Sequence, residues 1–179
     1  MLKKFLFIMM MIASTAQAGN KLAPPCLGKT PVAAAEKAFK SYREMLLGDP
    51  KQMRGLVTGG LMHALSQEYQ CRLGGELCAI DVDPWSGAQD GTIQKPITFR
   101  QTSNDRQSAS VDMQYTLAID ASHKEKLVST LLLERNPTHS CWQLADLITP
   151  AGDSLRQRIT GSQKESDESP LPPPGSGQE

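Results

Sequence analysis

The order of patterns along the chain predicts an α+β domain, with helices first and a curved antiparallel sheet of about four strands packed against them. Helical periodicity fills the stretch from Thr30 to Gly75, and period-two alternation takes over beyond Ile97. The connections between the alternating segments are short enough for an antiparallel meander, and a short helix follows the last strand. No internal repeat is visible.

Thr30-Pro31 opens the first helix, with Thr30 as N-cap and Pro31 at the first helical position. Val32, Ala35, Phe39, Tyr42 and Leu46 recur at helical spacing, Glu36, Lys37, Lys40 and Arg43 mark the wet side, and Gly48-Asp49-Pro50 is the stop. A short helical turn is expected around Lys51 to Leu56. A second helix begins at Thr58 or Gly59-Gly60, carries Leu61, Leu65, Tyr69 and Leu73 on one face, and ends at Gly74-Gly75. The polar stretch Asp81 to Gly91 holds one large aromatic residue, Trp85. Strands are expected at Ile97 to Gln101 and at Ser110 to Asp120, the latter with Val111, Met113, Tyr115, Leu117 and Ile119 facing one way. Two more are expected at Lys126 to Arg135, where Leu131-Leu132-Leu133 suggests cover on both faces, and at Ser140 to Ile148 with Trp142, Leu144 and Leu147 or Ile148 buried. Ser154 to Ile159 reads as the closing helix, capped by Asp153.

Residues 1–18 read as a cleavable signal peptide. Lys3 and Lys4 precede the apolar run Phe5 to Ile12, and Ala16-Gln17-Ala18 has the small-x-small form of a signal peptidase site. The apolar run is too short to span a bilayer, no cysteine directly follows the cleavage site, and so no stable membrane anchor is expected. Residues 19–29 form a leader, 30–160 a single domain, and 161–179 a tail expected to be disordered, with Pro172-Pro173-Pro174 as a docking peptide the sharper reading. The expected compartment is the periplasm.

Removing those 18 residues from 179 leaves one domain's worth of chain, with 17 basic residues against 19 acidic ones. Such a balance gives no electrostatic footprint for nucleic acid, and aromatic residues at 5% are too few for a base-stacking platform. Four cysteines in an oxidising compartment favour two disulfides. Cys71 and Cys78 lie close together around Gly74-Gly75 and are paired on that ground, which leaves Cys26 for Cys141. A zinc site is not indicated, because no CxxC occurs and only three histidines are present.

Asp81, Asp83 and Asp90 are the densest acidic cluster. Asp81-x-Asp83 resembles the start of a calcium loop, but Trp85, Ser86 and Thr92 stand where a ligand, a glycine and a glutamate are required. His63, His123 and His139 are scattered, and no nucleophile motif of the G-x-S-x-G, S-x-x-K or H-E-x-x-H type occurs. No cofactor is implied.

Asp83-Pro84-Trp85-Ser86-Gly87-Ala88-Gln89-Asp90, the strand Cys141-Trp142-Gln143-Leu144-Ala145-Asp146-Leu147 and the following Ser154-Leu155-Arg156 together resemble a family of bacterial envelope domains of unknown function. That family is placed in the nuclear transport factor 2-like superfamily, and the resemblance covers Thr30 to Ile159. It implies a cone-shaped α+β fold whose sheet wraps a pocket closed by the N-terminal helices. Some members of the superfamily use an Asp–His pair in the pocket, many only bind ligands or proteins, and dimers through the open sheet face are common. Neither pocket-lining strand, Ser110–Asp120 or Ser140–Ile148, carries a histidine for such a pair.

The expectation is therefore a non-catalytic periplasmic binding protein whose partner is a protein, an immunity-type inhibitor of a toxin or a component of an envelope complex. The immunity comparison rests on compartment and size alone. The surface expected to bind is Asp81, Asp83, Trp85, Gln89 and Asp90, with Trp85 either an exposed anchor or a plug in the cone's open end. Two alternatives accompany it. One is a small ligand in a cavity lined by Tyr115, Leu117, Leu131, Leu133 and Trp142, and the other a hydrolase or isomerase using Asp83 or Asp90.

Overall fold

The computed structural model describes residues 26–44, 46–75 and 77–168, with side chains described through 161. The expected signal peptide, most of the expected leader and residues 169–179 of the expected tail lie outside the described residues. The elements are helix α1 (Pro31–Tyr42), a 3-10 turn (Pro50–Met53), helix α2 (Gly59–Leu73), strands β1 (Thr92–Asn104), β2 (Ser108–Ala118), β3 (Lys124–Arg135) and β4 (Trp142–Ile148), and helix α3 (Leu155–Glu168). The strands pair in sequence order as an antiparallel meander of four. The α+β class, the helices-first order and the closing helix agree with the sequence expectation.

Helix α1 begins as its sequence dictates, with the Thr30 hydroxyl accepting from the Ala33 amide. It ends at Tyr42, earlier than the expected Leu46, and Leu46 is buried from the turn that follows. Its inward face is Pro31, Ala34, Ala35, Ala38 and Phe39. Small side chains let the helix lie close across the sheet, touching all four strands.

Helix α2 departs further. Its buried positions are Leu61, Ala64, Leu65 and Glu68, while Tyr69 is half-buried and Leu73 is 64% exposed. Glu68 takes the inward place because it has a full set of partners. Oε1 accepts from the Ile80 amide (3.1 Å) and pairs with Arg72 Nε (3.0 Å), and Oε2 accepts from the Ala79 amide (3.2 Å). Arg72 then donates to the Ile80 carbonyl at 2.7 Å. A buried carboxylate with this many donors is retained at little cost, and hydropathy alone reads it as solvent-facing.

Strand β1 is much longer than the expected Ile97 to Gln101. Its register with β2 shifts between Gln94 and Thr98, across Lys95-Pro96. Proline has no N–H for the ladder, so the strand's first half reads as a break in the sequence. Lys95, Pro96 and Arg100 are exposed along this edge strand, as expected of an edge guarded against foreign pairing. β2 follows the expected alternation through Leu117, but Ile119 lies past the strand end and is 58% exposed. In β3, Leu131 and Leu133 are buried and Leu132 half-buried. In β4 a register shift opposite Leu132/Leu133 places Leu144, Ala145, Asp146 and Leu147 all in the interior.

The far edge of β4 is covered by earlier parts of the chain. The Trp142 amide donates to the Gly28 carbonyl (3.1 Å), the Leu144 amide to the Leu56 carbonyl (2.9 Å), and the Thr58 amide to the Leu144 carbonyl (2.9 Å). The Gln143 side chain donates to the carbonyls of Gly55 and Val57 at 3.0 and 3.2 Å. Both expected disulfides are present, Cys26–Cys141 and Cys71–Cys78. Helix α3 continues to Glu168, beyond the expected end at Ile159. Its start is held by Ser154, whose hydroxyl oxygen accepts from the Gln157 amide (3.0 Å), and by buried Asp146 of β4, which accepts from the Arg156 amide (3.0 Å) and the Ser154 hydroxyl; the expected cap, Asp153, pairs with Arg158 at 2.8 Å instead.

Candidate functional site

The loop singled out by the sequence folds around the carboxylate of Asp83. Oδ1 accepts from the amides of Trp85 (2.9 Å) and Ser86 (2.8 Å) and from the Ser86 hydroxyl (3.1 Å), and Oδ2 pairs with Arg43 at 2.9 Å. The loop closes on itself through Gly87 N–H to the Asp83 carbonyl (2.7 Å) and Asp83 N–H to the Ala88 carbonyl (3.0 Å). Gly87 has φ 69°, and a Cβ there would lie 3.1 Å from Thr149 Cβ, so both conformation and space call for glycine.

Trp85 is 1% exposed. Its ring meets Phe39 edge-on at 5.2 Å, and its indole N–H donates to the Arg43 carbonyl at 3.4 Å. Its carbonyl accepts from the hydroxyls of Tyr115 (3.3 Å) and Ser129, on β2 and β3. Of the two readings of Trp85, the structure therefore gives the core plug, and an exposed anchor is excluded. Burial pushes the Tyr115 phenol above its ordinary value, with the nearby Asp83 charge adding to the effect, so it serves as a neutral donor. Asp81, Gln89 and Asp90 are exposed. The five expected binding residues thus separate into a structural pair, Asp83 and Trp85, and three surface side chains.

The side chains expected to line a ligand cavity, Tyr115, Leu117, Leu131, Leu133 and Trp142, are all buried within the continuous apolar core. Among the described residues no group of three or more His, Cys, Asp or Glu is placed to hold a metal ion. Asp120, Ser122 and His123 do meet in the β2–β3 turn, but not as a nucleophile relay. Both Ser122 Oγ (3.2 Å) and Asp120 Oδ2 (2.7 Å) approach the same imidazole nitrogen, Nδ1, and the serine hydroxyl also donates to Asp120. A relay needs the hydroxyl and the carboxylate on opposite ring nitrogens.

That turn carries a measurable signature. Bonds from the Ser122 hydroxyl and then from the His123 and Ser122 amides lower the Asp120 carboxyl to about 2. The folded value lies below the unfolded one of about 3.9, so the turn's contribution is present above that pH and disappears as pH falls through about 2. A carboxyl-carbon NMR titration should find the Asp120 midpoint near about 2 in the wild type and nearer the ordinary value in Ser122→Ala. An ordinary midpoint in the wild type would remove the assignment.

The most distinctive exposed surface lies elsewhere. Met62, Ser66, Tyr69 and Leu73 follow one another at helical spacing on α2, beside its buried face. Between this stripe and the 3-10 turn runs a groove of about 530 Å³, lined also by Asp49, Pro50, Lys51, Arg54 and Gln70. At the C-terminal end of α2 the Cys71–Cys78 disulfide closes a small loop that carries Leu77 at 103% relative exposure, four residues on from Leu73. The Glu68–Arg72 clamp fixes Ala79 and Ile80 where the chain leaves this loop. Sequence reasoning put Leu73 in the core and passed over Leu77. The signal for Leu73 was the second stripe on α2, visible only once Glu68 is allowed an inward position. No family model matches the chain, nor does any curated protein sequence or solved structure.

Proposed function

We propose that this chain is an exported, non-catalytic binding domain of the periplasm that engages a protein partner through the outer face of α2 and its stapled loop. The resemblance to envelope domains of the nuclear transport factor 2-like superfamily is part of this reading, as is the role of an immunity-type inhibitor or envelope-complex component. The observation that carries it is the exposure of Leu73 and Leu77, two leucines flanking a disulfide and an ion pair between exposed Arg72 and buried Glu68. Large apolar side chains left in water gain on binding, and a disulfide across the loop lowers the ordering cost. Two disulfides fit an oxidising compartment.

Capture from periplasmic extract tests the proposal. Leu73→Asp with Leu77→Asp should lose a stoichiometric partner that the wild type retains, while the melting temperature stays close to the wild-type value, since both side chains are exposed. Asp81→Ala with Asp90→Ala serves as the comparison. Loss of the partner only in this second variant returns the site to the Asp81–Asp90 loop. No partner in any sample sinks the protein-binding reading.

A further inference from the structure

We propose that the groove along α2 receives an acidic segment of the partner protein, one in which carboxylates flank apolar side chains. The inference rests on reading the α2 face as a docking surface and names the chemistry which that face selects. The apolar part of the lining is Pro50, Met62, Tyr69 and Leu73. Pro50 is buried, Met62 and Tyr69 are half-buried, and Leu73 is 64% exposed. Leu73 belongs to the groove and to the leucine pair alike, so the two surfaces are continuous. From Met62 to Leu73 the helix rises by ~16 Å, at ~1.5 Å per residue. About five residues of extended chain cover that distance, so the groove suits a length of polypeptide better than a compact ligand.

The opposite bank carries the charge. Lys51 lies in the 3-10 turn and Arg54 is its C-cap, and both are exposed. Among the described residues neither has an ion-pair partner. The acid on the lining, Asp49, has Oδ1 turned to the Lys51 amide at 3.0 Å, where it caps the 3-10 turn. Two cations therefore face the groove against a single carboxylate that already holds an amide. A carboxylate brought in by the partner balances this charge, whereas an ammonium group adds to it. The exposed cations keep their hydration until the partner arrives, so they choose among partners and speed encounter, while the apolar bank supplies the burial.

The experiment pans the full mature chain against a phage-displayed library of random peptides. Selected sequences should be enriched in aspartate and glutamate next to leucine, isoleucine or phenylalanine. A synthetic copy of the strongest binder should shift the Met62 and Leu73 methyl resonances. Its affinity should fall about tenfold in Lys51→Glu with Arg54→Glu, and fall in the wild type as salt is raised. Both positions are exposed, so the melting temperature of this variant should stay near the wild-type value. A library that yields no binder, selected peptides without an excess of acids, or equal affinity for wild type and variant would each overturn the inference. Equal shifts from free glutamate at the same concentration would reduce it to simple anion binding and overturn it as well. Partner capture separates this failure from failure of the docking surface. If Leu73→Asp with Leu77→Asp loses the partner and the charge-reversed variant keeps it, the groove falls and the docking surface stands. If both variants keep the partner, both readings fall.

Discussion

Replacing Trp85 with alanine is expected to lower the unfolding free energy by about 3–5 kcal/mol, the range for deleting a large aromatic side chain from a packed core. The indole is 1% exposed and meets Phe39 edge-on at 5.2 Å, a contact that adds to its simple burial. Its removal also leaves the Arg43 carbonyl without the indole N–H. A domain of this size has about 5–15 kcal/mol in total, so the variant should sit near its unfolding transition. Urea denaturation followed by far-UV circular dichroism measures the loss, and Trp85→Phe should recover part of it by keeping a ring against Phe39. A midpoint for Trp85→Ala within experimental error of the wild type would contradict the packing described. A binding assay on Trp85→Ala alone is uninformative here, because an unfolded protein loses every partner.

The second large effect concerns Cys26–Cys141, which spans 115 residues and ties the segment before α1 to the start of β4. In the chain-entropy account, closing a loop of that length stabilises by ~5 kcal/mol, against ~2–3 kcal/mol for the short Cys71–Cys78 loop. Cys26→Ala with Cys141→Ala should therefore destabilise the domain more than Cys71→Ala with Cys78→Ala, read as the shift in urea midpoint under oxidising conditions. The short bridge has a different sensitivity. Its loss should relax the loop that presents Leu77 and weaken partner capture while most of the fold remains. Equal midpoint shifts for the two pairs would show that native-state strain or residual structure outweighs loop length.

Where a single local rule decides the outcome, the fold was legible from the residues. Thr30-Pro31 starts α1, Thr58 caps α2, and the alternation from Val111 to Leu117 sets the inner face of β2. The failures have one physical theme, which is polar groups supplied with partners from distant parts of the chain. Glu68 turns inward because Ala79 and Ile80 offer their amides, and the stripe ending in Leu73 is turned outward as a result. Pro96 concealed the first half of β1 because the register shift that accommodates it depends on β2. Within the candidate loop, Asp83 followed by Ser86 had the composition of a self-bonded turn, and the structure gives that turn. The side on which Trp85 would fall was open in the sequence, since the hydroxyls of Tyr115 and Ser129 that fix its carbonyl come from two strands further along the chain.

The covered edge of β4 has a consequence in time. This strand comes late in the chain, yet its outer flank is bonded to Gly28 and to residues 56–58. A polypeptide leaves the ribosome N-terminus first. Everything that ends up beside β4 therefore waits with open valences until residues 141–148 emerge. The cysteines face the same queue: Cys71 and Cys78 arrive close together, whereas Cys26 encounters both before Cys141 exists. Proximity favours the Cys71–Cys78 pair as soon as both cysteines are out, and this leaves Cys26 to wait for Cys141. The long bridge is therefore the last covalent step of the fold, closing only with the strand that completes the sheet.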